Sequence, residues 1–257
     1  MQEAYSNFAA CYDELMDNIP YDEWFAYLQS LLKENKIEDG IVAELGCGTG
    51  NITELMAQAG FDMIGIDNSD AMLDIANAKK AQNQSSSLYL LQDMREFELY
   101  GTVKAVISLC DSINYITDIS DLLQVFKLVN NYLDPKGIFI FDFHPRYYYK
   151  EIVADATIAE DRDDISFIWD NFYDEDEDIN ELALSLFVKE NTDGNKEAQL
   201  YRKYQELHLQ RGYTLQEMKD LVTASGMELV ATYDAFTHDE ATEECERIYI
   251  IARECGK

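Results

Sequence analysis

The residues best placed to do chemistry in this 257-residue chain are carboxylates at the ends of short apolar runs. Glu44 sits in Ile41-Val42-Ala43-Glu44-Leu45, directly before Gly46-Cys47-Gly48-Thr49-Gly50. Asp67 closes the run Phe61 to Ile66, and Asp93 follows Leu88 to Gln92. Glycines at alternate positions between an apolar strand and a helix let the backbone take angles that side chains forbid, and let a ligand approach it closely. A loop of the form G-x-G-x-x-G, which cradles a dinucleotide, needs its third glycine at position 51, and that position is Asn51. Glu44 is awkward beside a pyrophosphate and suits a cationic ligand. Asp67 lies about 20 residues after the first glycine, the offset at which a carboxylate holds ribose hydroxyls; its alternative role is to cap a helix from Ser69 to Lys79.

The elements that must position these groups alternate in type. Apolar runs at 41–45, 61–66, 88–92 and 103–108 read as strands separated by helical stretches. A fifth strand, Ile138 to Phe143, follows the turn Tyr132-Leu133-Asp134-Pro135-Lys136-Gly137. Alternation of this kind predicts an α/β fold with a doubly wound, mostly parallel sheet.

Glu44-Leu45-Gly46-Cys47-Gly48-Thr49-Gly50 resembles the first motif of the class I methyltransferases, which use S-adenosylmethionine (SAM), and the runs ending at Asp67, at Asp93-Met94 and at Leu109-Cys110 follow in that family's order over roughly Ile41 to His144. Upstream, Tyr12-Asp13 and Tyr21-Asp22-Glu23-Trp24 resemble the N-terminal helices of a bacterial subgroup with a cap over its small-molecule site. The resemblance implies a Rossmann-like seven-stranded sheet with SAM as cofactor and S-adenosylhomocysteine as product. It implies that Glu44, Gly46, Cys47, Gly48, Gly50, Asp67, Asn68, Asp93, Met94, Leu109 and Cys110 contact the cofactor. Asp93 and Met94 would face the adenine, while Tyr12, Tyr21 and Trp24, with Tyr5 as a further member, would line the methionine end. The alternative for these aromatics is packing of an amphipathic helix pair, since Phe8, Cys11, Tyr12 and Leu15 recur at helical spacing.

After His144 the alternation stops. Phe167 to Tyr173, Leu182 to Val188 and Ala198 to Tyr204 are β-rich runs, the last two separated by the turn signal Asn191-Thr192-Asp193-Gly194-Asn195. Residues 145–211 therefore form an expected antiparallel insertion, a substrate cap, between an N-terminal and SAM-binding part at 1–144 and a C-terminal completion of the main sheet at 212–257. In that last part Thr214-Leu215-Gln216-Glu217 is a capping box, with strands expected at 228–233 and 247–252.

Methyl transfer to an amine or hydroxyl needs an aligned acceptor and a place for its proton. The groups at the carboxyl ends of strands four and five, Asp111, Asn114, Tyr115 and His144, are the catalytic candidates, with Arg202, His208 and Arg211 able to reach in from the insertion. The formal net charge of −30, from 20 basic against 50 acidic residues, argues against binding nucleic acid. Between positions 150 and 193, 15 acidic residues stand against three basic ones, densest at Asp174 to Asp178; this suits a cationic substrate or partner, or else a solvated hairpin. Three histidines and five scattered cysteines without C-x-x-C predict no metal site and reduced thiols. The start Met1-Gln2-Glu3-Ala4 lacks the pattern of a secretory leader and no run is long enough to span a membrane, so the expected compartment is the cytoplasm.

The reading is a SAM-dependent methyltransferase of a small molecule. Its competitors are a SAM-binding assembly protein that recruits a basic partner and, opposed by Asn51, an NAD-dependent oxidoreductase. The acceptor atom and the oligomeric state are not specified by the sequence.

Overall fold

The computed structural model of the protein describes residues 9–190 and 200–257. Helices α1 (Ala9–Leu15) and α2 (Tyr21–Glu34) precede an alternating core: β1 (Ile41–Leu45), α3 (Asn51–Gln58), β2 (Asp62–Asp67), α4 (Asp70–Asn83), β3 (Leu88–Leu91), β4 (Val103–Ser108), α5 (Ile119–Tyr132) and β5 (Leu133–Phe143). A short 3-10 turn, Ser112–Tyr115, lies between β4 and α5. After a π-helical turn at Tyr148–Val153 come β6 (Thr157–Asp161), β7 (Ile165–Asp174), β8 (Ile179–Glu190) and β9 (Leu200–Arg211), then α6 (Leu215–Ala224), β10 (Met227–Asp234) and β11 (Ile248–Glu254).

The main sheet has seven strands in the order β10-β11-β5-β4-β1-β2-β3. It is parallel from β3 through β5, and β11 runs antiparallel to both of its neighbours. Its central strands are apolar on both faces, as strands covered by helices on either side must be. In β5 the alternation is complete: Phe139, Phe141 and Phe143 pack on one face against α5 and α6 residues such as Phe126 and Met218, while Ile138 and Ile140 pack on the other with Leu28, Leu31 and Met56. Burying a side chain of this size contributes about 1.5–3 kcal/mol, so a slip of one residue, which would exchange the faces, is strongly disfavoured.

Two elements differ from expectation. The turn expected before the fifth strand is absorbed into it: β5 begins at Leu133, and pairing jumps from Val103 with Leu133 to Ala105 with Ile138, leaving residues 134–137 as an excursion with Lys136 at φ 65°. The second sheet has four strands in the order β6-β7-β8-β9, where three runs were expected; the added β6 is short, acidic and exposed along its length, so no apolar pattern announces it. The turn signal at 191–195 and the start of the third run at 198–199 lie outside the described residues. The capping box at Thr214 and Glu217 forms as its sequence predicts.

The turn after β4 is tied to the rest by Asn114, which is fully buried. Its amide donates to the His144 carbonyl (2.8 Å) and the Arg211 carbonyl (2.7 Å), and its oxygen accepts from the His144 N–H (3.0 Å). Replacing it by alanine orphans three buried backbone groups, each costing about 1–3 kcal/mol. Asn114→Ala is therefore expected to lower the urea unfolding free energy by at least about 3 kcal/mol. A loss below 1 kcal/mol would show that this tie is not structural.

Candidate functional site

Beyond the carboxyl ends of β1, β2 and β4 lies a cavity of about 550 Å³. Its floor is the glycine loop, where Gly46, Gly48 and Gly50 all have positive φ (69°, 52° and 77°). A Cβ on Gly46 would meet the Ser112 hydroxyl at 2.6 Å, whereas one on Gly48 would meet nothing within 4 Å. The first glycine is thus required by packing, and the second leaves backbone open to a ligand. Gly48 N–H donates to Asp67 Oδ2 (2.8 Å) and Ser69 N–H to Oδ1 (2.8 Å), so two backbone amides aim the Asp67 carboxylate. Each oxygen keeps a second lone pair for a ligand hydroxyl. Asp67 is not the helix cap: Ser69 fills that position on α4 by accepting from Met72 N–H.

Glu44 lines the cavity with 4% of its surface exposed. The Thr53 hydroxyl donates to it, and burial pushes its carboxyl up to about 8. The cavity therefore offers a carboxylate that ionises most readily when a cation arrives beside it. Cys47 and Cys110 also line the cavity, and burial holds both thiols well above the ordinary cysteine value.

Helix α1 closes one side. Asp13 accepts from the Thr49 hydroxyl (2.7 Å) and the Asn51 amide (3.1 Å), and pairs with Lys79 of α4 (2.7 Å). Tyr12 and Tyr21 line the cavity and are hydrogen-bonded to one another, and burial raises both phenols. On the opposite side of α1, Cys11 and Leu15 pack with Phe167, Leu182 and Leu184 of the second sheet, and Arg162 donates to the Glu14 carbonyl and pairs with Asp17 (3.1 Å).

Most residues expected at the site from the sequence line this one cavity: Tyr12, Tyr21, Glu44, Gly46, Cys47, Gly48, Asp67, Asn68, Asp93, Met94, Leu109, Cys110 and Tyr115. Asp93 lines it with its carboxylate gripped by the Arg95 guanidinium (2.9 and 3.1 Å from Nε), which lowers it below the usual carboxylate range. Gly50 lies outside the lining, where a Cβ would strike the Tyr89 hydroxyl. Trp24 is outside as well, buried with its ring 4.9 Å from the Arg247 guanidinium. Tyr5 and Phe8 fall outside the described residues.

Among the catalytic candidates, Tyr115 alone reaches the cavity. Asn114 is spent on backbone ties. Asp111 accepts from Arg247 (2.9 Å) and Gln210 (2.9 Å). His144 stacks on Tyr148 at 3.7 Å, and its Nε2 accepts from Arg247 (2.7 Å). Burial and that guanidinium hold the imidazole well below its ordinary value, and its Nδ1 donates to the Glu246 carbonyl (2.6 Å). A ring with both nitrogens so engaged has no lone pair for an incoming proton. Arg211 donates to the Thr117 carbonyl (3.0 Å), and Arg202 pairs with Glu190 on the surface. Arg247 was not foreseen, because an isolated arginine before a strand carries no local signal. Among the described residues no group of His, Cys, Asp and Glu could hold a metal ion, and no helix is long and apolar enough to cross a membrane.

Residues 42–137 match the family model described as a methyltransferase domain. A Bacillus subtilis (strain 168) protein named "Putative methyltransferase YqeM" is 36% identical over 250 residues, 97% of this chain and 96% of that one. The crystal structure of a SAM-dependent methyltransferase from Clostridium acetobutylicum superposes with a TM-score of 0.86 at 25% identity, covering 99% of this chain and all of that one. SAM-bound CalS10, an amino pentose methyltransferase from Micromonospora echinaspora, shares the fold at TM-score 0.74 and 16% identity, covering 99% of both chains. The chain belongs to the class I SAM-dependent methyltransferases. The residues present fit that cofactor: Glu44 offers the cavity a buried carboxylate that would suit a cation, and Asp67 is held with lone pairs that ribose hydroxyls could use.

Two outcomes test these roles. Because SAM is cationic, its binding favours ionised Glu44, which the free protein holds mostly protonated below about pH 8. Affinity for SAM is therefore expected to rise with pH toward that value, by up to about tenfold per unit, with proton release seen by calorimetry in buffers of different ionisation enthalpy. Glu44→Gln should abolish both the slope and the release; an unchanged slope would remove Glu44 from the account. Asp67→Ala deletes a charged acceptor whose hydrogen bonds contribute about 1.5–3 kcal/mol, so SAM affinity should fall roughly tenfold or more. Equal affinity would refute contact between this carboxylate and the cofactor.

Proposed function

We propose that this methyltransferase acts on a small polar acceptor, an amine in preference to a hydroxyl, bound between the cofactor cavity and the second sheet acting as a cap. SAM supplies an electrophilic methyl group when bound. The protein's own residues must then bind and orient the acceptor, exclude water and take up its proton.

The observation that carries this reading is the composition of the junction between the two sheets. Tyr115, at the cavity wall, touches His208 of β9, and Gln210 of the same strand touches Asp111. Buried and half-buried polar side chains facing one another behind the wall of such a cavity suit a small polar molecule better than an apolar one. The acid-rich hairpin supports a cationic acceptor more weakly, since it is partly engaged: Glu175 pairs with Lys150 (2.5 Å), and Asp178 with Arg146 (2.6 Å). The net charge of −30 weighs against nucleic acid as substrate. Amine chemistry is supported by neighbours that share the fold, the amino pentose methyltransferase above and the sugar N-methyltransferase KedS8. Five cysteines, none in a disulfide, fit a reducing, cytoplasmic setting.

The test is incubation of the purified protein with methyl-labelled SAM and parallel panels of amino sugars, linear polyamines and the matched hydroxyl compounds. Release of S-adenosylhomocysteine is followed together with a one-methylene mass gain on the acceptor. Methylation confined to amines supports the reading. Label found only on hydroxyl compounds, or only on added protein, would overturn it.

A further inference from the structure

Strand β9 inverts the usual polarity of a sheet with one covered face. Its inward residues Glu206, His208 and Gln210 are buried, with His208 3% exposed, while the alternating Leu207 and Leu209 are 49% and 41% exposed. A shift of one residue would bury the leucines and free the polar groups. The twelve-pair register with β8, in which Leu182 opposes His208 and Leu184 opposes Glu206, holds the unfavourable arrangement in place. Burying three polar side chains where apolar ones stand next to them in sequence lowers stability, and local rules are broken in this way chiefly at sites of function.

The inward row faces the turn after β4. The Tyr115 hydroxyl lies 3.2 Å from His208 Nδ1, with the two rings edge to face at 5.9 Å. Glu206 Oε2 lies 3.5 Å from His208 Nε2. Tyr149 is buried beside Tyr115 and Asp111, and Arg247 balances the charge of Asp111. A chain of acid-base groups thus runs from the cavity wall, at Tyr115, into the second sheet.

We propose that Tyr115, His208 and Glu206 form a proton relay: Tyr115 is the catalytic residue that meets the acceptor amine, and His208 and Glu206 position it and receive the proton. The inference rests on the amine reading above. As the acceptor nitrogen forms its bond to the methyl carbon, the carbon–sulfur bond breaks and the sulfonium leaves as a neutral thioether. The nitrogen then carries one proton too many. It passes to the Tyr115 oxygen while the phenol's own proton moves to His208 Nδ1, and the resulting imidazolium is balanced by Glu206 before release to solvent. The relay requires that His208 carry its resting proton on Nε2, toward Glu206, leaving Nδ1 as acceptor.

The test reads that tautomer. Protein labelled with ¹⁵N-histidine is examined by two-bond ¹H–¹⁵N correlation with S-adenosylhomocysteine bound and then with sinefungin, whose amine replaces the transferable methyl; His208→Asn assigns the signal. The expected result is a neutral Nε2–H ring at His208 that becomes the minor tautomer in Glu206→Gln. Its nitrogen shifts should respond to sinefungin in the wild type and not in Tyr115→Phe, while those of surface-exposed His238 stay constant. An Nδ1–H tautomer, or shifts identical with the two ligands, would overturn the relay while leaving the enzyme class intact. Failure of folded wild-type protein to bind either ligand would instead overturn the methyltransfer reading and the relay with it.

Discussion

One buried guanidinium organises the functional end of this molecule. Arg247, just before β11, donates to Asp142 in β5, to Asp111 after β4 and to His144 after β5, and lies against the ring of Trp24 in α2. Asp142 also accepts the backbone N–H of Asp111 (2.9 Å). Cys110 and Asp111 both hold left-handed backbone angles (φ 57° and 51°), a costly conformation for side-chain-bearing residues that persists only where surroundings enforce it. Because Cys110 is part of the cavity wall, the wall's shape depends on a charge cluster whose members Arg247, Asp142, Asp111 and His144 lie outside the cavity lining. Removing one member of such a cluster leaves the others buried without compensation, an effect of several kcal/mol. Trp24 and His144 both lie against this guanidinium, and their aromatic and polar character suits that contact.

Helix α1 has two faces with different partners. Asp13 fastens it to the glycine loop and α4, and Cys11, Leu15 and the Glu14 carbonyl fasten it to the second sheet. The cavity side and the side proposed to hold the acceptor therefore share a seven-residue helix. Movement of α1 that opens the cavity must also disturb the packing of β7 and β8.

The cofactor half was legible in the sequence because its signals are local. A strand, alternate glycines and a terminal carboxylate lie within one short segment around Glu44 to Gly50, and the same holds for the runs ending at Asp67 and Asp93. The capping box at Thr214 is equally local. What escaped depends on partners far apart in the chain. Arg247 meets Asp111 across 136 positions, and Asn114 meets Arg211 across 97. The inversion of β9 was illegible for a different reason: alternation reveals two faces but not which one is covered, and hydrophobicity alone would choose the wrong one. Strand β6 has no apolar face to read.

The two cysteines of the cavity wall carry a last consequence. A thiolate is a strong nucleophile, and one lining a chamber built for an electrophilic methyl group would compete with the substrate and alkylate the enzyme itself. Burial raises both Cys47 and Cys110, which favours the neutral and weakly nucleophilic thiol on that wall. The same burial that raises the Glu44 carboxyl holds these thiols protonated, which would protect the catalyst from being consumed by its own reagent.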